Sequence, residues 1–203
     1  MENLEKIMNS NESREGVKDS EDSEKEEKWK EWLSEVDGVV DEKGEKVDEG
    51  VKETVAAFLA NDLPTSGSCE GHLQEEESGH LYPWIEIATP EPEGMEEVDD
   101  EEREKMAMEW KTENLKQKAR LMTYLEEFYK DRETPIDARL VFRNIGRYGE
   151  FRVQSFGADL MEILSPKERE QKRELYLKEM NDLKDFLKER FKEDLDQEKD
   201  EKD

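Results

Sequence analysis

One segment decides the fold class: ARLVFRNIGRYGEFRVQSFG, residues 138–157. Two runs rich in valine, isoleucine and phenylalanine flank a short stretch bounded by Gly146 and Gly149. β-Branched and aromatic residues favour strands, and a short loop with glycine at its ends is typical of a hairpin. The segment therefore predicts two antiparallel strands in a chain whose other apolar patterns are mostly helical.

A second pair of short strands is expected earlier in the chain. Trp84, Ile85 and Ile87 predict a strand that ends before Pro90, because proline cannot donate to a strand ladder. A shorter strand is expected near residues 65–69. Together with the hairpin, these segments predict a small, largely antiparallel sheet of about four strands.

Four segments have the apolar spacing of amphipathic helices, in which residues three and four apart share one face. They lie at residues 26–36, 48–62, about 103–131 and 165–191. Asp48 and Ser165 are expected to cap the second and fourth helices. The residues expected to face the core are Trp29, Trp32, Leu33 and Val36; Val51, Val55, Phe58 and Leu59; Met106, Trp110, Leu115, Ala119, Met122, Leu125 and Tyr129, with Leu121 and Phe128 beside them; and Tyr176, Met180, Leu183, Leu187 and Phe191.

This order of helices and strands predicts an α+β fold, with a small antiparallel sheet packed by amphipathic helices and with charged, flexible termini. Residues 1–25 are expected to form a disordered acidic tail, and residues 193–203 a charged C-terminal tail. Residues 26–192 are expected to form a single α+β domain that contains an acidic linker at about 90–104.

Composition limits the classes of partner that this protein is expected to bind and indicates its compartment. The 203 residues are 44% charged and carry a net charge of −26, which opposes binding to nucleic acids and anionic membranes. No apolar run approaches the ~20 residues that span a bilayer, and the first residues lack the pattern of a secretory signal. The single cysteine excludes an internal disulfide. These features predict a cytoplasmic protein.

Chemically reactive side chains concentrate in the segment TSGSCEGH, residues 65–72, and just beyond it. Cys69 is the only cysteine of the chain, and His72 and His80 are its only histidines. One interpretation is purely structural, with Cys69 as a small buried apolar residue and His72 as a turn histidine whose hydrogen bonds are satisfied. Three interpretations of the protein's function also stay open at the level of sequence. We predict a function at the 65–86 loop under each of the first two.

The first interpretation is that the loop binds a small anionic molecule. Glycines and hydroxyls let a turn direct backbone N–H groups at a phosphate or carboxylate. Four arginines in the 138–157 hairpin, against one glutamate, give that segment a local charge of +3, and Arg143 or Arg152 would neutralise the ligand. The residues expected to bind the ligand are Ser66, Ser68, Cys69, Glu70, His72, Trp84, Arg143 and Arg152.

The second interpretation is an enzyme that is either metal-dependent or thiol-based. Cys69 and His72 have the C-x-x-H spacing that lets two side chains reach one ion, with His80 as a third ligand and zinc as the expected metal. Alternatively, a Cys69 thiolate beside His72 would act as a nucleophile. The third interpretation is a protein–protein interaction adaptor that docks through the helix bearing Trp29 and Trp32.

The segment GEKVDEGVKETVAAFLANDLPTSGSCEGH, residues 44–72, followed by YPWIEI, residues 82–87, resembles a family of uncharacterised small prokaryotic proteins. That family has a D-x-G-[IV]-K-E-T-V helix, an S-C-E-G-H turn and a P-W-[IV] strand. The resemblance covers most of residues 44–191 and implies no activity or cofactor. The turn is also similar to T-S-S-C-S-G-R of the wybutosine-synthesis methyltransferase family, with His72 in place of the arginine. The positions that carry the first resemblance are Asp48, Gly50, Lys52, Glu53, Ser68, Cys69, Glu70, Gly71, His72, Pro83 and Trp84.

Overall fold

A computed structural model describes residues 23–40, 44–73 and 80–200. Most of the expected N-terminal tail, residues 1–22, lies outside the described residues. The elements in chain order are α1 (23–37), α2 (Glu49–Ala60), β1 (Thr65–Cys69), β2 (Trp84–Ile87), α3 (Asp100–Tyr129), β3 (Leu140–Asn144), β4 (Phe151–Ser155), a 3-10 helix (Phe156–Ile163) and α4 (Pro166–Asp200). The α+β prediction with a small antiparallel sheet is confirmed.

The four strands form one antiparallel sheet in the order β1-β2-β4-β3. Glu86 of β2 faces Arg152 of β4, and Arg152 faces Arg143 of β3. Directly opposed residues point to the same side of a sheet, so these three side chains share the outer face. Ile85 and Val153, which alternate with them, are buried on the inner face.

The core lies against the inner face of the sheet, where side chains from all four α-helices join one apolar cluster. α2 and α4 pack closely against each other. Trp29 of α1 is 3% exposed and Val36 is also buried, so the face of this helix that an adaptor would offer is covered. Members of the cluster include Trp29, Val36, Val55, Phe58, Leu63, Ile85, Ile87, Leu121, Leu125, Phe151, Val153, Leu183 and Leu187.

The structure confirms part of the predicted apolar face of α3, since Leu121, Leu125 and Phe128 are buried. Leu115 and Met122, expected in the core, are exposed. The reason is the buried Asn114, whose Nδ2 donates to Tyr148 O (3.0 Å) and whose Oδ1 accepts from Thr89 N (2.7 Å). Hydrophobic periodicity cannot detect a helix face anchored by a buried amide. The buried residues of α3 are Asn114, Leu121, Leu125 and Phe128.

Both long helices extend into segments expected to be irregular. α4 continues to Asp200, so residues 193–200 of the expected tail are helical. Ion pairs link this end of α4 to α1, with Lys192 beside Glu26 (2.6 Å) and Asp196 beside Lys25 (2.6 Å). α3 begins inside the expected acidic linker, at Asp100. No helix among the described residues is long and apolar enough to cross a bilayer.

Candidate functional site

The turn that follows β1 is fastened to the first turn of α2 by two reciprocal hydrogen bonds. The backbone N–H of Glu70 donates to Asp48 Oδ2 (3.0 Å), and the backbone N–H of Gly50 donates to Glu70 Oε2 (2.7 Å). Asp48 stands at the N-cap position, yet in the described chain its side chain makes no capping bond to α2. The predicted capping role of Asp48 is therefore wrong, and Glu70 satisfies the helix N–H instead.

Arg173 of α4 braces the same turn from the other side. Its Nε donates to Gly71 O, and its Nη2 donates to Glu70 Oε1 (3.3 Å). Sequence reasoning missed this residue because its partners lie more than a hundred positions earlier and α4 is rich in cations. The arginine ties the turn to a helix that is anchored in the core.

The backbone geometry requires glycine at Gly71, whereas Gly50 leaves room for the carboxylate of Glu70. Gly71 has a φ of +85°, and a Cβ there would lie 2.8 Å from the carbonyl carbon of Tyr82. A Cβ at Gly50 would lie 2.5 Å from Glu70 Oε2, the atom that accepts the N–H of Gly50. Close backbone approach and left-handed geometry both favour glycine. The turn is thus held in one conformation by its surroundings.

Three side chains with metal-ligating atoms converge beside this turn: Asp48, Cys69 and His72, which we name the Asp48 cluster. Their ligand atoms all lie within 4.8 Å of one another. Nε2 of His72 lies 3.3 Å from Oδ2 of Asp48. Cys69 is 5% exposed, whereas Asp48 and His72 are partly buried. The cluster therefore has an apolar back and a side that faces solvent.

Backbone groups orient two members of the Asp48 cluster. The N–H of Gly71 donates to Cys69 Sγ (3.4 Å), and the N–H of His72 donates to the carbonyl of His80 (2.7 Å). The second bond links the two histidines directly. Such contacts restrict the positions of ligand atoms before any ion arrives.

Burial raises the pKa of the Cys69 thiol above its ordinary value, and the nearby Asp48 carboxylate adds to the rise. Backbone N–H groups of Gly71 and His80 oppose the shift without reversing it. The thiol is consequently protonated at neutral pH in the absence of a cation. An activated nucleophile needs the opposite shift, so this environment disfavours direct attack by Cys69.

His80 belongs to a separate group on the outer face of the sheet, with Trp84, Glu86 and Arg152; we name it the Arg152 cluster. Arg152 donates from Nε to Glu86 Oε1 (3.1 Å), and its guanidinium carbon lies 4.0 Å from the centre of the Trp84 ring. Nη1 of Arg152 lies 3.3 Å from Nε2 of His80. Burial, and then the charge of Arg152, lower the pKa of His80, so its neutral ring accepts from the guanidinium.

The remaining predicted site residues lie apart from the Asp48 cluster. Arg143 pairs with Asp159 on the outer face of the sheet. Ser68 lies opposite the buried Ile85 on the adjacent strand. Its side chain therefore points to the other face of the sheet from that of Cys69. Ser66 is exposed. Of the predicted set, the structure brings together Cys69 and His72, holds Glu70 as the fastener beneath them, and adds Asp48, which sequence reasoning assigned only to capping.

A comparison of this chain with protein-family models finds no match, and neither do comparisons with curated proteins and with solved structures. The resemblance of the S-C-E-G-H turn to an uncharacterised prokaryotic family therefore stays a prediction. Several of the residues that carry this resemblance nevertheless hold the turn in place. Asp48, Gly50 and Glu70 fasten the turn to α2, and Gly71 supplies the carbonyl that Arg173 of α4 bonds.

Proposed function

We propose that this protein binds a transition-metal ion, zinc in preference to other metals, through Asp48, Cys69 and His72. One observation carries the proposal: the carboxylate, thiol and imidazole ligand atoms lie within 4.8 Å of one another on a braced turn. The three residues come from the start of α2, the end of β1 and the turn after it. Cys69 and His72 form a C-x-x-H pair, and the fold brings Asp48 to them.

The distances suit a tetrahedral ion. With bonds of about 2.0–2.3 Å, the ligand atoms of a tetrahedral zinc site lie about 3.3–3.8 Å apart. The contact between His72 Nε2 and Asp48 Oδ2 is already 3.3 Å. Even ligand atoms at the upper limit of 4.8 Å would reach this range if they moved together by roughly 1 Å. Side-chain rotations of the cysteine and the aspartate supply a movement of that size.

The donor set favours zinc over the hard cations. One sulfur, one imidazole nitrogen and one carboxylate oxygen match the ligands that zinc takes in proteins, whereas Mg²⁺ and Ca²⁺ prefer oxygen ligands throughout. Three protein ligands leave a fourth position to water or to an external molecule. That count is typical of zinc sites that do chemistry and differs from closed four-ligand structural sites.

Binding of a small anion at the loop ranks second, because the nearby arginines already have acidic partners. Arg143 pairs with Asp159, Arg152 with Glu86 and Arg173 with Glu70. An anionic ligand would have to displace a carboxylate from one of them. A metal ion, by contrast, would be bound by the Asp48 carboxylate and by the thiolate form of Cys69.

The thiol-nucleophile and adaptor alternatives each lack the observation that they need. The raised pKa of Cys69 opposes a free thiolate at neutral pH. Trp29, the centre of the proposed adaptor face, is buried in the core. The metal proposal also includes a reducing compartment such as the cytoplasm, in which a lone thiol stays available as a ligand.

Metal content and a cobalt spectrum test the proposal. We expect the purified full-length chain to bind one zinc ion per chain, and cobalt(II) to give the near-ultraviolet absorption of a thiolate–cobalt bond. Cys69→Ser should abolish that absorption. Asp48→Asn should weaken zinc binding while keeping an oxygen that accepts the N–H of Glu70. Absence of stoichiometric zinc together with absence of the cobalt band would reject the proposal.

A further inference from the structure

The Asp48 cluster holds a single oxidisable ligand atom. Cys69 is the only cysteine among the 203 residues of the chain, and its Sγ is the one sulfur of the cluster. The other two members offer a carboxylate oxygen and an imidazole nitrogen, which mild oxidants leave unchanged. Oxidation of one atom would therefore remove one of three ligands, and the only soft one.

The fold leaves one side of the cluster from which a small molecule can reach this sulfur. Cys69 is 5% exposed, whereas the side chains of Asp48 and His72 are 29% and 20% exposed. A zinc ion has to enter past these two side chains. Hydrogen peroxide is uncharged and scarcely larger than water, so it fits the same opening and the fourth ligand position that three protein ligands leave free. Burial of Cys69 therefore admits small oxidants and keeps bulky ones away.

We propose that hydrogen peroxide releases zinc from the Asp48 cluster by oxidising Cys69, so that the zinc occupancy of this protein depends on peroxide. The inference rests on the proposed zinc site and adds the regulation of that site. It needs no residue outside the cluster, because the ligand that binds zinc is also the group that is oxidised.

The oxidation balances with peroxide as the two-electron oxidant. The zinc-bound thiolate of Cys69 attacks one oxygen of hydrogen peroxide, so an S–O bond forms and the O–O bond breaks. The attacked oxygen keeps its hydrogen, which gives a sulfenic acid, and the other oxygen leaves as hydroxide. The sulfur loses two electrons and the peroxide gains them.

The absence of a second cysteine decides what happens next. The sulfenic acid cannot become an internal disulfide, so it stays open to reduction by small external thiols. One thiol forms a mixed disulfide with Cys69 as water leaves, and a second thiol displaces the first and restores the Cys69 thiol. Until then, Asp48 and His72 alone should hold zinc at least ~100-fold more weakly, as expected after loss of a ligand.

Zinc release from the loaded full-length chain tests the inference. One equivalent of zinc is bound first, and a chromogenic chelator then records free zinc after an excess of hydrogen peroxide is added. We expect release of the bound zinc, and an adduct on Cys69 with dimedone, a reagent that captures sulfenic acids. Without dimedone, dithiothreitol should restore zinc binding. Because dithiothreitol does not reduce methionine sulfoxide, this recovery assigns the effect to the cysteine.

Two exposed methionines of α3 offer the matched control. Met108 and Met122 are 64% and 47% exposed, so peroxide oxidises them readily, and neither belongs to the Asp48 cluster. The double variant Met108→Leu with Met122→Leu should release and rebind zinc like the wild type. A double variant that keeps its zinc under peroxide would overturn the inference.

The measurement distinguishes failure of this inference from failure of the zinc site itself. If no zinc loads before peroxide is added, the proposed zinc site is wrong and the inference is wrong with it. If zinc loads and stays bound under peroxide, only the redox inference is overturned. Release of zinc without a dimedone adduct on Cys69, or without recovery in dithiothreitol, overturns it as well.

Discussion

The two histidines of this chain, His72 and His80, are neighbours in the structure but have opposite surroundings. The backbone N–H of His72 donates to the carbonyl of His80 at 2.7 Å, so the two residues are directly linked. Nε2 of His72 nevertheless faces the carboxylate of Asp48, whereas Nε2 of His80 faces the guanidinium of Arg152. A cation would be attracted to the first ring and repelled from the second.

That contrast identifies which histidine can serve as a ligand. A metal ion needs electron-pair donors with a net negative charge around them, and the Asp48 cluster supplies a carboxylate and an ionisable thiol. The lone pair of His80 is already used by Arg152, and the Arg152 cluster is closed by its own ion pair with Glu86. The charge that faces each ring therefore identifies the metal ligand better than proximity in sequence does.

The largest expected effect separates the two histidines directly. His72→Ala should lower zinc affinity at least ~100-fold because a ligand is lost, and His80→Ala should lower it less than ~10-fold because the His80 carbonyl remains. Isothermal titration of zinc into both variants measures the difference. Equal losses would mean that the two rings do not differ in role.

A pair of glycine substitutions tests whether the turn that presents His72 is rigidly specified. Gly71→Ala should destabilise the fold by about 2–4 kcal/mol, because the new Cβ strains a φ of +85° and meets the backbone of Tyr82. Gly94→Ala is the control, since its φ is +73° but the space around it is open, and it should cost about 1 kcal/mol. Urea denaturation compares them. Similar costs would show that the close contact with Tyr82 is unimportant.

The two arginines that brace the two ends of the loop should have separable effects on zinc. Arg173→Ala removes the clamp on Glu70 and Gly71, and should weaken zinc binding about tenfold by loosening the turn beneath Cys69. Arg152→Ala should change zinc affinity less than about threefold, because it acts on the side of His80. Zinc titrations of both variants, after confirmation that each is folded, decide the point. The account is contradicted if Arg152→Ala has the larger effect on zinc.

The smallest expected effect is a pH dependence that His80 imparts to stability. Its pKa is lowered in the folded chain, so as pH falls through the ordinary histidine range the unfolded state takes up a proton that the folded state resists. Stability should therefore decline between about pH 7 and pH 5, and His80→Asn should reduce that decline. Thermal unfolding at a series of pH values measures it. An unchanged slope in the variant would place the titrating group elsewhere.

Local sequence signals predicted most of the fold. The valine- and isoleucine-rich runs, the apolar helical spacings and the Ser165 start all gave elements that the structure contains, with Glu168 accepting from the Ser165 N–H (2.9 Å). On α3 the prediction was right for Leu125 and wrong for Leu115 and Met122, because the buried amide of Asn114 occupies part of the inner face. The helical extension of α4 was missed because its ion pairs reach back to α1.

The candidate site was only partly predictable, since its decisive contacts are long-range. Cys69 and His72 were identifiable from rarity and spacing. Asp48 looked like a helix cap because that preference is local, whereas its carboxylate is engaged by a backbone N–H 22 residues away. His80 was predicted as a third ligand, but its ring contacts Arg152, which lies 72 residues away in sequence. Arg173 gave no sequence signal at all.

X-ray absorption of the zinc-loaded chain tests the central claim most directly, because it reports the ligand atoms themselves. We predict one sulfur at about 2.3 Å and nitrogen or oxygen ligands at about 2.0–2.1 Å, with the sulfur absent in Cys69→Ser and one imidazole lost in His72→Ala. The His80→Ala spectrum should match that of the wild type. A zinc shell without sulfur, or one that loses an imidazole in His80→Ala, would contradict the assignment of Asp48, Cys69 and His72 as the metal site.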